Sequence, residues 1–148
     1  MRESVDELVS GPPIQFVTIS GVYMSGIRLP NEPFEISVEM IGVDADVYGQ
    51  GWSDAMRDEA ISHLQALTAG RSISIEFDVE RSRQTGNWPD LLAWIWADDL
   101  LLNAEMVRRG YLFVGDFGPN VKYRDAILTS EMEAMESGIG RWSSVTPP

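Results

Sequence analysis

The chain contains no cysteine, which excludes a disulfide framework, thiolate metal ligands and a Cys nucleophile. It has one histidine, His63, so neither a His-rich metal cluster nor a pair of catalytic imidazoles can form. Basic residues are scarce: 11 Lys+Arg stand against 23 Asp+Glu, a formal net charge of −12. That field repels polyphosphate at long range and disfavours a nucleic-acid role from the outset. No apolar run approaches the roughly 20 residues that span a bilayer. The opening Met1-Arg2-Glu3-Ser4-Val5-Asp6-Glu7 lacks the basic and apolar regions of a secretory signal. The expectation is a cytoplasmic protein without membrane association, although a secreted chain relieved of its leader would read the same way.

What is present suits one globular domain: 148 residues, 44% hydrophobic and 23% charged, enough to bury a core without staples. Residues 1–13 end in Gly11-Pro12-Pro13 and read as a loosely held arm. Residues 14–142 form the domain, and 143–148 a tail. Ile14 to Ser20 and Val22 to Leu29 read as strands, with Gly26 as a bulge and Pro30-Asn31-Glu32-Pro33 as the following turn. Phe34, Ile36, Val38 and Met40 alternate with Glu35, Ser37 and Glu39. Ile73, Ile75, Phe77 and Val79 likewise alternate with Ser72, Ser74, Glu76 and Asp78, the period of a half-buried strand. Leu91 to Ala97 is apolar on both faces and reads as a covered strand, with Trp94 and Trp96 in its packing.

Three helices are expected. The first is capped by Ser53, carries an inward stripe of Met56, Ala60, Leu64 and Leu67, and stops at Gly70. The second is capped by Asn103 and ended by Gly110. The third spans about Val121 to Ser137, with Ile127, Leu128, Met132 and Met135 inward and Glu133 and Glu136 outward. Gly138-Ile139-Gly140 closes it and Trp142 folds back as an anchor. For Met132 and Met135, core filling is preferred over a partner-binding stripe. Three strands, a helix, two strands and two helices predict an α+β fold: a five-stranded OB-type β-barrel with three α-helices.

That order, with several local strings, resembles the staphylococcal nuclease (thermonuclease) family. The strings are Ile41-Gly42-Val43-Asp44, Ile75-Glu76-Phe77-Asp78, Leu92-Ala93-Trp94-Ile95-Trp96-Ala97-Asp98, Leu102-Asn103-Ala104-Glu105-Met106-Val107-Arg108-Arg109-Gly110-Tyr111, Pro119-Asn120, Ser130-Glu131 and Ile139-Gly140-Arg141-Trp142. The resemblance covers about Gly21 to Trp142. It implies a scaffold whose members cleave DNA and RNA with a carboxylate-held calcium ion, two arginines on the phosphate and a glutamate that positions water. Laid on the family pattern, this chain departs at the chemistry. A calcium-binding aspartate becomes Ser25, one arginine becomes Glu39, the catalytic glutamate becomes Val47 and the second arginine becomes Asp90. Of the charged family positions, Asp44 alone is kept. Aromatics that stack the substrate base would fall near Asp116 and Gly118, with no obvious counterpart.

The substitutions remove what phosphodiester cleavage needs. One arginine on a transferring phosphoryl group is worth about 10³–10⁵ in rate, and general-base assistance roughly 10²–10⁴. A carboxylate about 4 Å from a phosphate is repelled by roughly 4 kcal/mol at an effective dielectric of ~20. The resemblance with these substitutions implies a pseudonuclease acting as a binding module with no cofactor, and the net charge of −12 points to a basic protein or peptide as its partner. One alternative is a metal-dependent nuclease or phosphodiesterase in which Glu39, Asp44, Asp46 and Asp90 share Ca²⁺, Mg²⁺ or Mn²⁺, with Asp44 and Asp46 the foremost ligands. Another is a weak nucleic-acid binder. The simpler reading of those carboxylates is a solvated acidic groove. Trp88 is the residue placed to stack a base or peptide ring. His63 reads as a surface or partly packed residue, Arg81-Ser82-Arg83 and Arg108-Arg109 read as solvated loop and helix-end charges, and Gly49-Gln50-Gly51 lacks the Lys-Ser/Thr of a phosphate loop.

Overall fold

A computed structural model describes residues 2–4, 7–8, 14–17, 21–28, 36–45, 54–85 and 88–143. Its strands are β1 (Arg2–Ser4), β2 (Glu7–Leu8), β3 (Ile14–Val17), β4 (Gly21–Arg28), β5 (Ile36–Met40), β6 (Val43–Asp44), β7 (Ile73–Glu76), β8 (Ser82–Thr85), β9 (Trp88–Ala97), β10 (Leu100–Leu101) and β11 (Phe113–Val114). The helices are α1 (Asp54–Thr68), α2 (Leu102–Arg108) and α3 (Arg124–Ser137), followed by a 3₁₀ turn at Gly140–Ser143. The five expected strands are β3, β4, β5, β7 and β9, and the fold is mixed α+β. No helix among the described residues is long and apolar enough to cross a membrane.

The main sheet runs β1-β7-β9-β5-β4-β2, with β3 also on β4 and β8 and β10 on β9. β5 pairs with β9 in parallel, Glu39 opposite Leu92, and with β4 antiparallel, Glu39 opposite Tyr23. The β4–β5 register shifts between Met24 and Ile27, where Gly26 reads as a bulge. Part of the expected N-terminal arm is sheet: β1 pairs with β7 and β2 with β4. The turn at 30–33 and the Ser53 cap lie outside the described residues.

The core gathers where both faces of a strand are covered. Leu92 to Ala97 is buried throughout, and so are Val38, Glu39 and Met40. The alternation therefore misplaces Glu39, because both faces of β5 are covered at Val38, Glu39 and Met40. It also fails after β7. Glu76 is buried, 2% exposed, whereas Val79 stands in solvent at 77%, since the strand ends at Glu76. Burial of Glu76 is satisfied chemically: its carboxylate accepts from Trp96 Nε1 at 3.1 Å, Tyr123 OH at 2.9 Å and Lys122 Nζ at 2.5 Å.

α1 buries Ala60 and Leu64, with Met56 and Leu67 packed beside them. Asn103 is not a cap. The N-cap of α2 is Leu101, without a side-chain bond, and Asn103 is spent inside the core. Its Oδ1 accepts from Ile95 N–H at 2.8 Å and its Nδ2 donates to Ile41 C=O at 2.9 Å. α3 also faces another way than its apolar residues suggest. It buries Ile127, Ser130 and Ala134, and leaves Leu128, Met132 and Met135 exposed. The inward set falls at i, i+3 and i+7, and small residues let α3 approach its neighbours closely. Ser130 Oγ is satisfied within the helix by Ala126 C=O at 2.8 Å. Gly138 ends α3 with φ of 61°, and Trp142 folds back edge-on to Phe113, ring centres 5.2 Å apart.

Candidate functional site

A cleft of about 280 Å³ opens beside β5 and β6, and its acidic lining is Glu39, Asp44, Glu80 and Asp116. Each comes from a different piece of chain. Glu39 rises from the centre of the sheet, and Asp44 sits on β6, held by antiparallel pairing with Phe113 of β11. The far wall is the segment 115–120. Gly115 N–H donates to Gly42 C=O at 2.9 Å and Gly118 N–H to Asp116 Oδ1 at 2.9 Å. Asn120, 1% exposed, staples that wall to the chain after β7. Its Oδ1 accepts from Glu80 N–H at 2.7 Å, and its Nδ2 donates to Glu80 C=O at 2.8 Å. Among the described residues lining the cleft there is no lysine or arginine.

Phe117 closes one side of the cleft. Its ring lies over Gly42, whose φ is +78°, and a Cβ at Gly42 would collide with that ring. Gly42→Ala combines left-handed strain with a displaced Phe117 and should cost about 1–3 kcal/mol of stability. Urea denaturation checks it; a loss below half a kilocalorie would mean the loop simply yields.

The resemblance-based residues distribute as follows. Glu39 and Asp44 both line the cleft. Ser25 lies on β4 within the register shift beside β5. Asp90 is on β9 opposite Arg83, and Trp88 begins β9 opposite Thr85. Asp46 and Val47 are outside the described residues. Sequence reasoning missed Glu80, Asp116, Phe117 and Asn120 as components of one site. Phe117 falls between the two positions read as lacking an aromatic, and the Gly-Pro-Asn turn after it was the available signal.

The calcium site implied by the resemblance keeps only part of its carboxylate set in this sequence. Its donor set is reduced to Asp44, with Ser25 in place of a carboxylate. Among the described residues no three His, Asp or Glu converge to hold a metal ion. No family model matches the chain, and no curated protein matches it.

His63 is not among the cleft-lining residues. It sits on α1 with its ring 5.4 Å from Tyr111, whose hydroxyl donates to Glu59 at 3.0 Å. Its Nε2 is buried and meets no hydrogen-bond partner among the described residues. Burial, then the positive charge of Arg109, lowers its pKa below the usual 6.5, against the opposing pull of Glu105 and Glu59. The unfolded chain therefore takes up this proton first, and the native state loses stability as pH falls below about 6.5. His63→Phe should flatten that part of the stability-versus-pH curve, measured by denaturant midpoints. An unchanged slope would contradict it.

Proposed function

We propose that this chain is a non-catalytic binding module on a nuclease-like OB-type barrel, serving a cationic protein partner. The observation that carries the reading is the charge of the cleft. Glu39, Asp44, Glu80 and Asp116 all line one cleft whose described lining includes no lysine or arginine, and the resemblance puts Glu39 where the family has a phosphate-binding arginine. Developing negative charge on a phosphoryl group would be destabilised there. The same lining suits lysine or arginine side chains.

The barrel is supported by the N-terminal pairings. β1 holds β7 through Ser4 opposite Ser74, and β2 holds β4 through Glu7 opposite Arg28. Three residues of chain reach at most about 11 Å, yet they join strands at opposite ends of the path β7-β9-β5-β4. A sheet with its edges that near each other is strongly curled, as an OB-type barrel requires.

The experiment is incubation of purified protein with single-stranded DNA and RNA in Ca²⁺, Mg²⁺ or Mn²⁺. The expected result is no cleavage above that of Glu39→Ala and Asp44→Ala controls. Metal-dependent cleavage that disappears in Asp44→Ala would overturn the reading in favour of a phosphodiesterase built on rearranged carboxylates.

A further inference from the structure

The outward face of α3 is an apolar track with acidic borders. Leu128, Met132 and Met135 are 37%, 60% and 39% exposed. Spaced at i, i+4 and i+7, they form one stripe about 10 Å long. Val121 and Ile139, both exposed, lie in the chain just beyond the two ends of α3. At the Leu128 end lies a depression of about 370 Å³, lined by Val114, Phe117, Val121, Arg124 and Leu128 among others. A contiguous apolar strip ending in a hollow is an unusual surface for a chain with so much charge to spare.

The borders say what would cover it. Asp125 stands one turn before Leu128, Glu136 one turn after Met132, and Asp116 lies on the rim of the hollow. Asp116, Asp125 and Glu136 are exposed. Arg124 is the cation beside the hollow, and the Lys122 ammonium is engaged by Glu76. Glu131 is committed as well, since its Oε2 accepts from Val114 N–H at 2.7 Å. The balance around the stripe is acidic. A second copy of this chain would bring like charge against like charge across a two-fold interface, on top of a net −12 per chain.

We infer that the exposed face of α3 is a docking surface for a basic amphipathic helix. The partner presents a Leu, Phe or Met anchor to the hollow and Lys or Arg to Asp116, Asp125 and Glu136. An i, i+4, i+7 stripe is the pattern that another helix covers with its own apolar face. The two methionines add an adaptable surface. The hollow shares Asp116 and Phe117 with the acidic cleft, but Leu128, Met132, Met135, Asp125 and Glu136 lie on α3 outside the cleft lining, so the inference survives if that cleft proves catalytic.

The test is fluorescence anisotropy with a labelled Leu/Lys peptide of helical period, compared with its Leu/Glu counterpart. The Leu/Lys peptide should bind in the micromolar range (about −7 to −8 kcal/mol), weaken as salt rises, and outcompete the Leu/Glu peptide. Leu128→Ser/Met132→Ser should lose about 30-fold in affinity, while its circular dichroism remains that of the folded chain. Asp125→Lys/Glu136→Lys should lose about 10-fold and gain affinity for the Leu/Glu peptide. No binding of the Leu/Lys peptide overturns the inference, as does equal affinity for wild type and the serine variant. Sedimentation showing a dimer that Met132→Ser dissociates would overturn it in favour of self-association.

Discussion

Asn103→Ala is expected to lower the unfolding free energy by about 3–5 kcal/mol, a large part of the roughly 5–15 kcal/mol available to a domain. The side chain is fully buried and joins three segments. It receives Ile95 N–H of β9, donates to Ile41 C=O just after β5, and makes a longer contact of 3.4 Å to Ala93 C=O. Alanine leaves a buried donor and a buried acceptor unmet, each costing about 1–3 kcal/mol, and opens a small cavity. Ile41 also lines the acidic cleft, so the same bonds hold the strand that carries Glu39. Urea denaturation with an unchanged m-value is the measurement. A loss under about 1 kcal/mol would mean that water reaches the freed groups.

Glu76→Ala should cost about 2–4 kcal/mol and loosen the cleft's far wall. Trp96 Nε1 and Tyr123 OH lose their acceptor, and Lys122 loses its ion pair. The neighbouring contacts are then unsupported: Trp94 Nε1 and Lys122 N–H both donate to Asp78 Oδ2, at 3.0 and 3.1 Å. Amide exchange from Gly118 to Tyr123 should accelerate while that of β9 is less affected. Uniform acceleration would show global destabilisation instead. Burial pushes the Glu76 carboxyl up, but hydrogen bonds from Lys122, Tyr123 and Trp96 outweigh it, and its pKa lies below the usual 4.5. The unfolded carboxyl is therefore protonated first. Its stabilisation is complete above about pH 4.5 and is lost as pH falls through the lower native value. Glu105, held by Arg108 and Arg109 at 2.5 and 3.0 Å, acts in the same direction. Glu76→Gln should unfold less steeply with acid than the wild type.

Elements were legible where one periodicity settled the matter. In β9 the run Leu92 to Ala97, apolar on both faces, is buried on both. The α1 stripe and the glycine stops at Gly70, Gly110 and Gly138 stand where expected, each with positive φ. Misreadings arose where polar residues turned inward or apolar ones outward. Glu76 and Glu39 are buried, which alternation alone cannot reveal, because the partners of Glu76 include Tyr123 from 47 residues further on. Asn103 has a capping residue's chemistry but spends it across the core. In α3, Ser130 and Ala134 win the inward face because short side chains permit close approach, leaving the larger methionines outside. The cleft was half legible. Glu39 and Asp44 followed from the resemblance, whereas Glu80, Asp116, Phe117 and Asn120 are united by long-range bonds with no sequence spacing to announce them.

The proposed binding role requires that the cleft reject anionic polymers and leave them uncut. A labelled single-stranded oligonucleotide, followed at low salt with Ca²⁺ by anisotropy and by gel, reads binding and scission in one sample. The expected result is neither a salt-sensitive rise in anisotropy nor any shortened product. Tight binding that weakens with salt, together with fragments that vanish in Asp44→Ala, would contradict it.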